Sequence, residues 1–323
     1  MTTVVSGPGS GAGVMMLALG QAILLAVLAP FVLGLTRAVR ARLEGRGAGR
    51  LGQPWRDLRK QLRKPPTSPA DASLVFAATP PVLMATSLLV AGVAPFVATT
   101  SAAGGADLIV VVGLLLLGTV ALALAGLDTG TAFGGMGASR EMIIAALVEP
   151  TLLLAVFALS VRVGSTDLAT IVAAGATDPT SVFTPASALA AAALAIATLA
   201  ESGRIPVDNP STHLELTMVH EAMVLEYSGR DLALVEWASS LRLTILLGLI
   251  VTLFAPWGVA SELTPVALLL GMAVFVVKVA VLAVVLGAGE VFAAKLRLFR
   301  VPELLAGSFA LALLAVLAAT VLG

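Results

Sequence analysis

The sequence predicts an all-α integral membrane protein. It has about eight transmembrane helices, a short amphipathic helix, and a helical cytoplasmic loop between spans five and six. Three observations carry this. Charged residues are 12% of the chain and hydrophobic ones 59%, against about 25% charged in soluble domains, so a water-facing surface of this size could not be covered. The apolar runs are continuous, rich in Ala and Leu and about 20 residues long, which suits helices crossing a hydrocarbon core and not the alternating short strands of a barrel. The basic residues, finally, gather in a few connections rather than spreading evenly.

In chain order the spans lie near 14–36, 72–97, 107–127, 141–162, 186–200, 237–258, 265–287 and 303–322, a single transmembrane domain over 1–323 with cytoplasmic segments at 37–70 and 201–236. The first run has no basic leader and is followed by Arg37, Arg40, Arg42 and Arg46, the pattern of a retained span rather than a cleaved signal peptide. The stretch Gly7–Gly13 ahead of it follows no strand and reads as a flexible tail, not a nucleotide loop. After span one, Trp55, Leu58 and Leu62 recur at helical spacing among Arg56, Arg59, Lys60 and Arg63. That is an interfacial amphipathic helix, either a lipid anchor or the floor of a docking surface. Asp128 and Glu141 flank a Gly-rich cytoplasmic loop, Gly130–Gly137. Span four carries Glu149 before Pro150, whose ring frees a backbone carbonyl. Span five is short, and either extends back through Phe183 or tilts. Span seven carries Lys278, which either pairs with a carboxylate on another span or takes part in proton movement. An ionisable group at that depth costs roughly 2.5–3.5 kcal/mol to insert and normally faces a bundle interior or water. No internal repeat relates the two halves, which argues against an inverted-repeat transporter.

Ten basic residues between Arg37 and Lys64 make that connection cytoplasmic. Alternation then puts Arg140, Arg204, Arg230, Lys295, Arg297 and Arg300 on the same side, with Arg242 at the cytoplasmic start of span six. One topology accounts for seventeen of the nineteen Lys and Arg, leaving Arg162 at an outer end and Lys278 inside a span. The expected location is the cell inner (plasma) membrane with both termini outside. Balanced charge, 19 basic against 19 acidic, offers no footprint for nucleic acid. The absence of cysteine removes disulfides, cysteine-ligated zinc and iron–sulfur clusters from this chain. Any electron transfer must therefore happen on another subunit or on a cofactor bound without cysteine.

The segment 201–231 is too rich in chemistry for a linker. It holds both histidines, six acidic residues and two prolines. Ser211 or Asn209 can cap a helix over about 212–226 that ends at Gly229, with Glu215, Met218 and Ala222 on one face and His213, Thr217 and His220 on another. His220-Glu221 opens like a zinc-protease helix, but Val224 stands where the second histidine is needed, so no metal site is expected. His213 and His220 instead contact a partner or titrate near neutral pH. Glu201, Asp208, Glu215, Glu221 and Glu226 crowd one membrane face, where like charges favour proton exchange. Arg204 is their expected counter-charge.

The run Glu201-Ser-Gly-Arg-Ile-Pro-Val-Asp208, with Glu215 and Glu226-Tyr-Ser-Gly229, resembles complex I subunit 1. Residues 206–223, together with Glu141 to Pro150 and the basic helix after span one, are similar to the membrane subunit of group 4 NiFe-hydrogenases, of the formate hydrogenlyase subunit 4 type. The likeness runs from span one to span eight. It implies a non-redox membrane subunit that is not catalytic alone, and that binds no cofactor itself. Such a subunit docks iron–sulfur and hydrogenase-like hydrophilic subunits on its cytoplasmic face, lies beside antiporter-like membrane subunits in the lipid, and relays energy to ion translocation. On that reading Glu149, Glu201, Asp208, Glu215, Lys278, Asp128, Glu141 and Glu226 form the proton relay. Arg204, Pro206, His213, His220, Glu221, Trp55 and Arg56 form the docking face. Val207 stands where complex I members carry Phe, and Asn209–His213 where they carry a Pro-Glu-Ala-Glu run. That departure weighs against quinone and favours the hydrogenase branch. A quinone-chamber subunit of complex I type and an independent cation permease are the alternatives.

Overall fold

The computed structural model describes residues 8–69, 71–99, 106–178, 180, 182–208, 218–293, 296 and 300–322. Among them are eleven helices: α1 Pro8–Leu43, α2 Gln53–Leu62, α3 Leu74–Val93, α4 Leu108–Asp128, α5 Ala132–Val163, α6 Leu168–Thr177, α7 Pro185–Glu201, α8 His220–Val224, α9 Gly229–Phe254, α10 Pro265–Phe292 and α11 Val301–Leu322. Seven of these are long and apolar enough to cross a membrane: α1, α3, α4, α5, α9, α10 and α11. The chain is a multi-pass membrane protein. The eighth expected span is α7, whose 17 residues begin at the Thr184 cap and Pro185 and extend about 25 Å. It packs among α5, α9 and α11, so its length is matched to protein neighbours rather than to lipid.

Several boundaries move from the sequence reading, each for a local reason. The tail expected through Gly13 is helical from Pro8. The Gly-rich loop at 130–137 shrinks to a turn: Gly130 takes φ 63, the Thr131 side chain accepts from Gly134 N–H, and α5 starts at Ala132. Its glycines serve packing. A Cβ at Gly137 would stand 2.9 Å from the Ala222 Cβ, and one at Gly126 would stand 3.1 Å from the Met223 Cγ, so they let α8 seat against α4 and α5. Helix α9 begins at Gly229 rather than 237 because Gly229 takes φ 53 where the Lys64 and Pro65 carbonyls press on it. Helix α6 has no counterpart in the sequence reading. Asp167 caps it by accepting from Thr170 N–H. Of the helix expected over 212–226, only His220–Val224 is helical among the described residues. The positions 212–217, with His213 and Glu215, lie outside them.

Helix α9 is the axis of the bundle. It packs against α1, α2, α3, α6, α7 and α10, and its most apolar stretch is 72% buried against 22% for α10. Polar side chains tie the outer layer to it at places where backbone groups lack helical partners. Pro30 has no N–H and its ring strains the turn before it, which loosens the carbonyls of Ala26 and Val27 on α1. Trp237 of α9 donates its indole N–H to the Ala26 carbonyl at 2.9 Å, and Trp55 of α2 donates to that of Val27 at 3.1 Å. The two indoles meet edge-to-face with centroids 5.4 Å apart, and Phe31 lies 6.4 Å beyond Trp55. The amphipathic helix α2 is therefore folded against α1 and α9, with Pro54 and Leu58 buried and Arg56 exposed. At the other end of the bundle Gln21 donates to the Ala91 and Ala94 carbonyls at 2.7 and 2.6 Å and accepts from Val97 N–H at 3.1 Å.

Trp237→Phe removes one of these bonds and leaves the Ala26 carbonyl unmet, at a cost of about 1–2 kcal/mol. Adding Pro30→Ala supplies the missing backbone N–H, so the double variant recovers part of the lost thermal stability in detergent.

Candidate functional site

Where α3, α4, α5, α7 and α9 converge, beside Ser202 and His220, the bundle holds a cavity of about 30 Å³ in which polar groups are set among apolar ones, room for about two waters. Ser87, Thr119, Glu141, Glu201, Ser202, His220, Ser239 and Arg242 line it. Arg242 lies thirteen residues past Gly229 in α9, level with Glu201, the last residue of α7. Its Nη2 contacts Glu201 Oε1 and donates to Thr119 Oγ1 at 2.6 Å. Glu149 Oε1 lies 3.8 Å from the same nitrogen. Glu149, Glu141 and Glu201 are all buried. A Cβ at Gly118 would stand 3.2 Å from Arg242 Nη1, so the glycine gives the guanidinium its space. Burying ions is costly unless partners surround them, and this group of one cation and three carboxyls is partnered only in part.

A second ionic cluster closes the membrane face beside the cavity. Arg204, on the loop after α7, bonds Glu290 Oε1 of α10 at 2.7 Å and Thr36 Oγ1 of α1 at 3.3 Å. Arg40 Nη1 stands 3.7 Å from the other Glu290 oxygen. Arg204, expected to pair with the acidic cluster of its own loop, thus bonds Glu290, a residue outside the 201–231 segment. Pro206 follows a cis peptide bond, and its carbonyl accepts from Leu296 N–H at 3.0 Å. Asp208 is buried and accepts from Val219 N–H at 3.3 Å, while Arg140 donates to the Met218 carbonyl at 2.9 Å.

Other expected relay members sit elsewhere. Asp128 accepts from the backbone N–H groups of Ser73 and Phe76 at 2.8 and 3.2 Å, so it satisfies the start of α3. Lys278 donates to the carbonyls of Ala255 and Trp257 just past α9 and to no carboxylate among the described residues. Glu226 does not line the cavity. It precedes Tyr227, whose hydroxyl donates to the Phe76 carbonyl at 2.9 Å and whose ring stacks on Phe76 at 4.1 Å. Burial pushes the Tyr227 phenol well above its ordinary range. Of the docking set, Arg56 and Glu221 are exposed and His220 half-buried, while Trp55 points inward to α1. Sequence reasoning missed Glu290 and Thr119.

The match to known proteins follows the same connectivity. The sequence profile described as NADH dehydrogenase covers residues 15–321. The chain belongs to the NADH dehydrogenase family. Among its relatives, "Hydrogenase-4 component C" of Escherichia coli K12 is 36% identical over 302 residues, spanning 92% of this chain and 93% of that one. "Formate hydrogenlyase subunit 4" of the same organism is 35% identical over 296 residues, 91% and 95% of the two chains. A chain of the membrane-bound sulfane sulfur reductase, an archaeal respiratory membrane complex, shares the fold with a TM-score of 0.81 at 21% identity, over 95% of this chain and 99% of that one. Both polar clusters thus lie in a fold that this chain shares with that archaeal protein.

The Arg204–Glu290 contact makes a direct prediction for this family member. Arg204→Met strands a buried carboxylate and costs about 3 kcal/mol, the low end for a broken buried pair because Arg40 remains near. Arg204→Met with Glu290→Met regains most of that, measured by thermal unfolding.

Proposed function

We propose that this chain is the membrane-anchoring, proton-coupling subunit of a multisubunit hydrogenase-like complex of the formate hydrogenlyase type. It docks an iron–sulfur redox arm on its cytoplasmic face and passes protons through Glu201 and Glu149 toward neighbouring antiporter-like subunits. The observation that carries this reading is the cavity in which Glu201, Glu141 and Arg242 meet across three helices, with Glu149 within 3.8 Å of the same guanidinium. Carboxyls held in reach of one another and of water can exchange protons without leaving the bundle. A volume of about 30 Å³ suits one or two waters rather than a quinone ring, which supports protons as the cargo. The chain holds no cysteine, so the clusters and the NiFe centre belong to partners. The docking face is built from the exposed side of α2 with Arg56 and from His220 and Glu221 on α8. The close likeness to hydrogenase-4 component C and formate hydrogenlyase subunit 4 favours this reading over a quinone-chamber subunit and over a solitary cation permease.

Two outcomes test it. In inverted vesicles carrying the intact complex, Glu149→Gln and Glu201→Gln each lower reaction-driven proton uptake by roughly 100-fold while electron transfer in the docked arm persists. Uptake at the wild-type rate in both variants would sink the relay. Because the chain has no cysteine, Gly47→Cys and Ser261→Cys, both at exposed loop positions, report sidedness cleanly. An impermeant maleimide should label position 47 from the cytoplasm and position 261 from outside the plasma membrane.

A further inference from the structure

The contacts of Arg242 are unlike those of a settled ion pair. A guanidinium fixed on one carboxylate normally engages it through two parallel N–H bonds. Here the single nitrogen Nη2 serves Glu201 and Thr119 and lies 3.8 Å from Glu149. Meanwhile Arg242 Nε, Glu201 Oε2 and both oxygens of Glu149 have no hydrogen-bond partner among the described residues. The carboxylate side chains of Glu149 and Glu201 are only 5% and 2% exposed, so bulk water does not meet these atoms. To hydrogen-bond Glu149, Nη2 needs to travel about 1 Å. Gly118 sets no side chain against Nη1, and the cavity borders the head group beside Glu201.

We propose that Arg242 is a movable counter-ion shared between Glu201 and Glu149, a positioning residue that follows whichever of the two carries the negative charge. This rests on the relay reading above. In one state Glu201 is the carboxylate paired with Arg242, and Glu149 holds the proton. In the transfer, the O–H bond of Glu149 breaks, its electron pair stays on Glu149, and the proton passes through a bridging water to form an O–H bond on Glu201. The guanidinium then moves to the new carboxylate at Glu149. The three groups sum to zero charge before and after, so no net charge is left stranded at low dielectric. The charged and titratable neighbours that face Arg242 are Glu201 from α7, Glu149 and Glu141 from α5 and His220 from α8, while α3 and α4 present Ser87, Thr86 and Thr119. No other Lys or Arg lines the cavity among the described residues.

The test is the pH profile of proton uptake by the intact complex in inverted vesicles. Without the cation, the accepting carboxyl ionises only at higher pH. Arg242→Gln therefore slows uptake at neutral pH and moves the midpoint of the profile to the alkaline side by at least about one pH unit. Arg242→Lys keeps a cation and should keep the wild-type midpoint. A wild-type midpoint in Arg242→Gln, or a midpoint of Arg242→Lys that moves with it, overturns the proposal. If that happens while Glu149→Gln and Glu201→Gln still abolish uptake, the relay stands and only the counter-ion role falls. If both Glu variants retain uptake, the relay fails, and this proposal with it. Should Arg242→Gln fail to assemble, infrared spectra decide. The wild-type complex should show an acid carbonyl band that is lost in either Glu→Gln variant, because Arg242 then settles on the remaining carboxylate. A band that survives in either variant overturns the shared-proton pair.

Discussion

The arrangement of the bundle depends on keeping a guanidinium inside it. Arg242 sits halfway along α9, the helix most enclosed by protein, where lipid offers a charge no compensation. A buried cation needs anions and hydroxyls from its neighbours, and these come from three different helices: Glu201 on α7, Glu149 on α5 and Thr119 on α4. Small residues make the approach feasible, with Gly118 beside the guanidinium and Gly126 and Gly137 under α8. The short helix α7 belongs to the same solution, since its last residue is the carboxylate that meets Arg242.

The remaining architecture answers a related demand, that backbone groups without helical partners find others. Pro30 loosens two successive carbonyls of α1, and two tryptophans from different helices take them. Gln21 does the same for the end of α3, and Lys278 for the residues after α9. In each case a polar side chain that reads as isolated in the sequence is a seam between elements. That is why Trp55 is better described by what it holds inside the protein than by what it offers to a partner.

The spans are legible because their signal is local: apolar runs and the prolines, glycines and charges that end them. The all-helical membrane fold, the amphipathic helix at 53–62 and the family likeness at 201–229 all rest on such short-range patterns. What the sequence conceals is pairing across distance. Nothing near Arg204 announces Glu290, eighty-six positions away, and nothing near Glu201 announces Arg242. Asp128 reads equally as proton carrier or helix cap until its contacts with Ser73 and Phe76 are seen. The start of α9 is hidden because its polar first turns, Gly229 to Glu236, look like loop. Helix α6 escapes notice because a ten-residue apolar helix is too short to register as a span.

The anchoring of the loop after α7 has a mechanical side. Arg204 grips Glu290 and Thr36, and two residues later the Pro206 carbonyl holds Leu296 in the stretch between α10 and α11. Residues 204–206 are thus a knot tied into three separate passages of the chain. A load applied to this loop at the membrane face is borne at once by α1, by the end of α10 and by the link to α11. Through Glu201, three residues before the knot, the same load reaches the centre of α9.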